Sequence, residues 1–144
     1  MTLKYLTSYI ANSQVSQELI KRLDNKGELN IIGSSRYAKA LVIDALATIE
    51  RKNILLICSN AEVAYKWYGY FQSIENKEVL YYPPNENLPY ESRSKSREVE
   101  FAQLDIINKL INLKIDNLNI TITTERSLQP HLLNRKYFKK YSFK

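Results

Sequence analysis

Apolar residues recur at helical spacing in four stretches of the chain, and short apolar runs separate these stretches. Residues three or four positions apart are apolar in the segments 14–23, 36–49, 61–74 and 96–113, which predicts four amphipathic helices. Ser13 is a suitable N-cap residue for the first of them, and Ser59 or Asn60 for the third. The runs typical of strands lie at residues 28–32, 53–58, 78–82 and 118–123. A last short helix, interrupted near Pro130, is expected over residues 124–133.

Strands and helices alternate along the chain, which predicts an α/β fold with a doubly wound, mostly parallel sheet and helices on both faces. The run 53–58 is apolar throughout, as in a strand that is buried on both faces. Residues 83–95 contain three prolines and are expected to be mostly irregular. Ligands of such sheets bind at the carboxyl ends of the strands, which here are the segments 33–37, 59–60, 83–87 and 123–126.

The turn between the first predicted strand and its helix resembles a phosphate-binding loop. In the pattern G-x-x-x-x-G-K-S/T, Gly33 and Lys39 occupy the positions of the first glycine and the lysine. Ala38 replaces the second glycine, and Ala40 replaces the hydroxyl residue. The candidate anion-binding residues are therefore Gly33, Ser34, Ser35, Arg36 and Lys39.

Both substitutions remove a chemical function of the loop. A methyl group at Ala38 hinders backbone amides from wrapping around phosphates, and Ala40 lacks the oxygen that would bind Mg²⁺. No predicted strand ends in a well-placed carboxylate, since Glu125 is a poor substitute. We therefore expect no ATP hydrolysis. Weak anion binding at the helix N-terminus stays open, as does an ordinary helix start with a solvated Lys39.

Composition limits the remaining chemistry. The chain has 144 residues, enough for about one domain, with 44% hydrophobic and 25% charged residues. Its single cysteine, Cys58, and single histidine, His131, exclude an internal disulfide, a cysteine zinc cluster and a two-histidine mechanism. Cys58 is expected to be a small core residue. The sequence predicts no catalytic residue and no metal ligand.

Most of the positive charge lies at one end of the chain. The net charge is +6, and residues 127–144 contain no acidic residue but five basic ones, Arg135, Lys136, Lys139, Lys140 and Lys144. Such a segment is either simply solvated or contacts a polyanion. No apolar run approaches the ~20 residues needed to span a bilayer, and no signal peptide is visible. We therefore expect a cytoplasmic protein without membrane contacts.

Several motifs together resemble the N-terminal region of the bacterial transcription-repair coupling factors (Mfd). They are the degenerate loop Gly33-Ser34-Ser35-Arg36, the stretch Pro84-Asn85-Glu86-Asn87-Leu88-Pro89-Tyr90, the turn Ser94-Lys95-Ser96-Arg97-Glu98-Val99 that opens a helix, and the strand-to-helix turn of residues 120–128. The resemblance covers residues 15–140, and the Leu88-Pro89-Tyr90-Glu91 stretch is its most specific part.

This resemblance implies a fold like that of phosphate-loop NTPases and RecA, similar to the first domain of the repair helicase UvrB but without ATPase residues. Residues 1–13 would be an N-terminal extension, 14–133 the UvrB-like domain, and 134–144 a basic connector to a following domain. The fragment itself would be non-catalytic and hold no cofactor. ATP and Mg²⁺ would belong to the motor domain of the parent protein.

The resemblance also implies partners and a biological role. Coupling factors are ATP-dependent DNA translocases that remove stalled RNA polymerase and recruit UvrA, through other domains than this one. The role of this module would be to scaffold the UvrA-recruiting domain by intramolecular contacts, with weak or indirect DNA contact. An alternative is a stand-alone domain that binds nucleotide or nucleic acid through residues 33–39. A UvrB-type helicase fragment is disfavoured by Ala38 and Ala40.

Overall fold

Helices and strands alternate through much of the chain in a computed structural model, which describes residues 3–74, 77–84, 97–113, 117–129 and 134–141. The elements are α1 (Lys4–Ala11), α2 (Gln14–Lys26), α3 (Arg36–Glu50), β1 (Ile54–Cys58), α4 (Ala61–Ile74), β2 (Glu78–Tyr81), α5 (Arg97–Asn112), β3 (Asn119–Thr124), α6 (Glu125–Leu128) and α7 (Arg135–Tyr141). Residues 85–96, which carry Pro89 and most of the segment predicted to be irregular, lie outside the described residues, as do Pro130, His131 and Lys144.

The strands form a parallel sheet in the order β1-β3-β2. Ile54 pairs with Ile120 and Cys58 with Thr124 on one side of β3, while Val79 pairs with Ile120 on the other side. Parallel neighbours require crossover connections, and helices supply them here. The α/β class with a parallel sheet flanked by helices is therefore confirmed.

One face of the sheet carries the main hydrophobic core. Alternate residues of β1 and β3, including Leu56, Cys58, Ile120 and Ile122, point to this face and meet α3 and α4. The helices contribute the buried side chains Ala40, Leu41, Ala64, Phe71 and Ile74. The apolar stripe predicted for α4 therefore faces the sheet. Of the six inward positions expected in α3, which are Ala38, Leu41, Val42, Ala45, Leu46 and Ile49, only Leu41 belongs to this core, and Ile49 is exposed.

The opposite face of the sheet is covered only in part. Ile106 of α5 packs there against Leu80 and Tyr82. Leu55 and Ile57 of β1 point to the same face but are 56% and 53% exposed. The prediction that the run 53–58 is buried on both faces is therefore wrong. An apolar run does not show whether a helix lies over each face, and α5 lies over β2 rather than β1.

The predicted first strand at residues 28–32 is also wrong. This segment has no regular secondary structure and follows Gly27, the left-handed C-cap that ends α2. Leu29 and Ile31 are half-buried, whereas Ile32 is 81% exposed. A strand exists only through hydrogen bonds to a neighbouring strand, and a local apolar pattern cannot show whether a neighbour is in reach.

Helix α1 lies in the segment that the sequence indicates only as an extension. It packs on α3, with Thr7 buried and Ile10 against the main core. At the junction with α2, the hydroxyls of Ser13 and Ser16 both donate to the carbonyl oxygen of Ile10 at 2.7 Å. The same carbonyl oxygen also accepts a hydrogen bond from the Ser13 amide at 3.0 Å, so these bonds join the end of α1 to the start of α2.

Helix starts follow the predicted caps. Ser13 accepts a hydrogen bond from the Ser16 amide, and Asn60 Oδ1 accepts one from the Val63 amide at 2.9 Å. Helix α5 begins with Glu98 and Glu100 in its first turn, where carboxylates favour the helix dipole. Of its expected inward positions, Ala102 and Leu110 are exposed. No helix in the described ranges is long and apolar enough to span a membrane.

Candidate anion-binding loop

The candidate loop precedes α3 and is open to solvent. Gly33 has a φ of +85°, a backbone conformation that only glycine adopts without strain. Ser34, Ser35 and Arg36 are exposed, and Lys39 is half-buried on the first turn of the helix. The structure thus places all five predicted residues in one short stretch at the start of α3.

Ser35 uses one of the amides that a phosphate would need. Its hydroxyl oxygen accepts a hydrogen bond from the Ala38 amide at 3.2 Å, while its carbonyl oxygen accepts the first regular helical bond, from the Lys39 amide at 3.0 Å. The first four amides of a helix have no partner within the helix. Of those in α3, the Ala38 amide is therefore already satisfied by the N-cap side chain.

The charge of Arg36 acts on Glu62, near the N-terminus of α4. Glu62 lies in the first turn of that helix, and its pKa is lowered. The main cause is the hydrogen bond of Glu62 with Lys66, followed by the charge of Lys66 and, in smaller part, by the charge of Arg36. Helix α4 follows the carboxyl end of β1. The loop therefore lies on the side of the sheet where parallel α/β proteins bind their ligands.

Ala40 lies on the other side of the helix from solvent. It is fully buried and packs in the core with Leu41, Cys58 and Ile122. A phosphate loop needs a hydroxyl at this position that reaches a bound metal ion. The position faces the sheet instead, so even a serine or threonine there would meet apolar side chains.

Other polar groups near the carboxyl edge are paired with one another. The hydroxyls of Thr124 and Ser127 lie 2.8 Å apart and are buried at the junction of β3 and α6. Glu125 is exposed in the first turn of α6. Within the described ranges, no group of three or more His, Cys, Asp or Glu side chains could hold a metal ion.

The strongest polar cluster was not predicted from the sequence. Lys77 Nζ donates to Asp44 Oδ1 at 2.6 Å, to the Asp44 carbonyl oxygen at 2.9 Å and to Thr48 Oγ1 at 2.7 Å. The sequence does contain one sign of this cluster, because the acidic residue Asp44 stands among apolar positions of α3. Because its partner is 33 residues away, no local pattern connects the two. The cluster is fully bonded and holds α3 to the start of β2.

Cys58 behaves as the expected small core residue. It is buried at the end of β1 and is a free thiol. Burial raises the pKa of its thiol above the ordinary value. A nucleophilic cysteine needs a lowered pKa, from a helix N-terminus or a cation. The side chain therefore serves packing rather than nucleophilic chemistry.

Comparison with known proteins relates the chain to one part of a much longer polypeptide. No protein-family model matches the chain. It is 32% identical over 109 residues to the transcription-repair-coupling factor of Bacillus subtilis (strain 168). The match covers 74% of this chain but only 9% of that protein, so the chain spans less than a tenth of its relative's length.

Proposed function

We propose that this chain is a non-catalytic, UvrB-like module of a transcription-repair coupling factor. In this proposal it scaffolds the part of the parent protein that recruits UvrA to damaged DNA. It performs no ATP hydrolysis itself, and the parent protein supplies ATP, Mg²⁺ and the contact with RNA polymerase through its other domains.

The similarity to the Bacillus subtilis coupling factor is the observation that carries this proposal. It extends over 109 residues at 32% identity, which is most of the chain rather than one short motif. An aligned region of this length includes several of the helices and strands described above. It therefore supports a shared fold unit and not only a shared loop.

The geometry of the loop supports the non-catalytic part of the proposal. Ala40 is in the core, where no residue can bind a metal next to phosphate. The Ser35 hydroxyl occupies the amide of Ala38. Phosphoryl transfer depends on positioned amides, a lysine and a metal ion. Of these three requirements, the loop retains only the lysine, Lys39.

A replacement experiment in the relative tests the proposal. The matching region of the Bacillus subtilis coupling factor is exchanged for this chain, and preferential repair of the transcribed strand is measured. We expect the chimera to retain that preference, whereas a variant lacking the region should lose UvrA recruitment. A folded chimera that behaves like the deletion variant would contradict the proposal.

The place of the UvrA contact is tested separately. Purified UvrA is passed over this immobilised chain and over the immobilised chimera. We expect retention by the chimera and little by the chain alone, because the contact is proposed to lie in a neighbouring domain. Tight retention by the chain alone would move the contact into this module.

A second candidate function rests on the exposed cations of the loop. Arg36 is exposed and Lys39 lies one turn further on, at a helix N-terminus that favours anions. The chain could thus bind nucleic acid through residues 33–39, with α7 adding the exposed Arg135 and Lys136. Such binding would weaken steeply with salt. DNA affinity that is absent, or that does not change between low and high salt, would exclude it.

A further inference from the structure

Helix α5 has a second apolar stripe besides the one that packs on the sheet. Ile106 faces the sheet, where it joins Leu80 and Tyr82. At 3.6 residues per turn, Phe101 and Leu104 lie about 140° and 160° around the helix from Ile106. They are 67% and 46% exposed and take no part in either hydrophobic cluster of the described residues. Apolar residues on two sides of a helix are typical of one that packs on both sides.

The exposed residues follow the spacing of a coiled-coil seam. Successive positions in the set Arg97, Phe101, Leu104 and Asn108 are four, three and four residues apart, as are the a and d positions of a heptad repeat. The first three side chains are exposed, and Asn108 is half-buried. Such a seam faces another helix, and its polar positions select the register of the pair. The stripe therefore fits a helix with two apolar positions at its centre and a polar position at each end.

The stripe is complementary to itself when two copies of α5 run antiparallel. Phe101 then meets Leu104 of the second copy, and Leu104 meets its Phe101, so apolar positions face only apolar ones. At each end, Arg97 meets Asn108 of the second copy. The Asn108 Oδ1 atom accepts a hydrogen bond from Asn112 Nδ2 at 2.8 Å, and its second lone pair can accept one from the guanidinium. Antiparallel packing also brings opposite ends of the helix dipoles together.

The charges beside the stripe favour the same arrangement. Glu98 is exposed in the first turn of α5, and the exposed Lys109 pairs with Asp105 at 2.8 Å. In the antiparallel pair, Lys109 of one copy lies between its own Asp105 and Glu98 of the other. A parallel pair would instead place Glu100 beside Asp105 of the second copy, where like charges repel. Charge complementarity therefore selects the antiparallel orientation.

We propose that the outer face of α5, formed by Arg97, Phe101, Leu104 and Asn108, binds a second copy of this chain in a two-fold, antiparallel dimer. A two-fold interface uses the same patch on both copies. Four apolar side chains form its centre and the polar pairs form its rim, as in other protein interfaces. The patch is small, so the association is weak, as is typical of interfaces that bury less than about 1,200 Å². Such a dimer would form whether or not the module belongs to a coupling factor.

Sedimentation equilibrium of the whole chain tests the proposal. The mean mass should rise from that of one chain towards that of two between about 10 µM and about 1 mM, as suits a small interface. Leu104→Glu places a carboxylate against Phe101 of the second copy and should keep the protein monomeric throughout. Circular dichroism shows whether this variant stays folded.

Tyr65→Glu is the matched control, because Tyr65 is 66% exposed on α4 and lies outside the patch. This variant should associate like the unmodified chain. An unmodified chain that stays monomeric over the whole concentration range would overturn the proposal. So would a dimer that tolerates Leu104→Glu, or one that Tyr65→Glu disrupts equally.

Charge-exchange variants test the antiparallel orientation. Glu98→Lys and Lys109→Glu each turn an attraction across the interface into a repulsion at both ends, and each should weaken the dimer at least about threefold. Mixed in equal amounts, the two variants should form a heterodimer as stable as the unmodified dimer, because every lysine then meets a glutamate. A mixture that associates no better than the separate variants would contradict the antiparallel pairing.

Discussion

The Nζ atom of Lys77 lies 2.6 Å from Oδ1 of Asp44, and these side chains are only 4% and 2% exposed. The ammonium group also binds Thr48 Oγ1 and the Asp44 carbonyl oxygen. All three of its protons therefore have acceptors. The pair joins the middle of α3 to the residue that precedes β2, and so fixes how the helix lies on the sheet.

Removing one member of this pair should strongly destabilise the protein. Asp44→Ala leaves the ammonium of Lys77 buried without its counter-charge, and a loss of about 3–5 kcal/mol in the free energy of unfolding is expected. Urea denaturation followed by circular dichroism measures it. The control is Glu18→Ala at the exposed pair with Arg22, where a loss of at most about 1 kcal/mol is expected. Similar losses in the two variants would contradict this assignment.

The sequence predicts those elements whose signals are local and repeated. Helices α3 and α4 follow from apolar residues at helical spacing over 14 or 15 residues. The caps Ser13 and Asn60 follow from side-chain chemistry alone. Strand β3 is predicted by its alternation of isoleucine and threonine. In these segments tertiary packing and local preference agree, so the local pattern is sufficient to predict the element.

The misjudged features depend on distant parts of the chain. Residues 28–32 look like a strand, but pairing requires a partner that the segment itself does not contain. The exposure of Leu55 and Ile57 is decided by the position of α5, some 40 residues later in the chain. The apolar pattern does not predict helix α1, because the large residues Tyr5 and Tyr9 are exposed, whereas the small polar residue Thr7 is buried.

The sequence locates the candidate loop, but it does not show which groups of the loop are free to bind an anion. The positions of Gly33 and Lys39 select the right turn, and the structure places it at the start of α3. That the Ser35 hydroxyl occupies the Ala38 amide depends on the side-chain rotamer of Ser35. That Ala40 faces the core follows only once the sheet is in place.

Loss of the α3 cap should weaken the helix measurably. Ser35→Ala removes the acceptor of the Ala38 amide, and a decrease of about 1 kcal/mol in the free energy of unfolding is expected. The neighbouring variant Ser34→Ala removes an exposed hydroxyl outside the helix and should have almost no effect. Thermal denaturation of the two variants side by side measures the difference. Equal stabilities would show that the cap does not form in solution.

Restoring the hydroxyl of the phosphate loop should harm the fold. Ala40 is fully buried, so Ala40→Thr inserts a branched polar side chain into the core. Overpacking of this kind costs about 1–3 kcal/mol. Ala38→Gly is the comparison, at a half-buried position of the same helix. Urea denaturation gives both values, and a neutral Ala40→Thr would mean that the position is not packed as described.

The thiol of Cys58 should react slowly. Because its folded-state pKa is raised by burial, the neutral thiol is favoured in the fold. The associated stability is complete below the pKa of the unfolded thiol and is lost as the pH rises through the folded value. Iodoacetamide labelling should therefore have a midpoint above that of a free cysteine, and denaturant should abolish the difference. Rapid labelling of the folded protein at neutral pH would contradict this.

We expect that the loop of residues 33–39 does not bind nucleotide. Calorimetric titration of ATP with Mg²⁺ into the unmodified chain tests this most directly, with the Ala38→Gly, Ala40→Thr double variant beside it. No binding heat is expected for either protein, because the Ser35 hydroxyl holds the Ala38 amide and position 40 faces the core. Micromolar binding by the unmodified chain would show that Lys39 and the helix N-terminus still form a working nucleotide site.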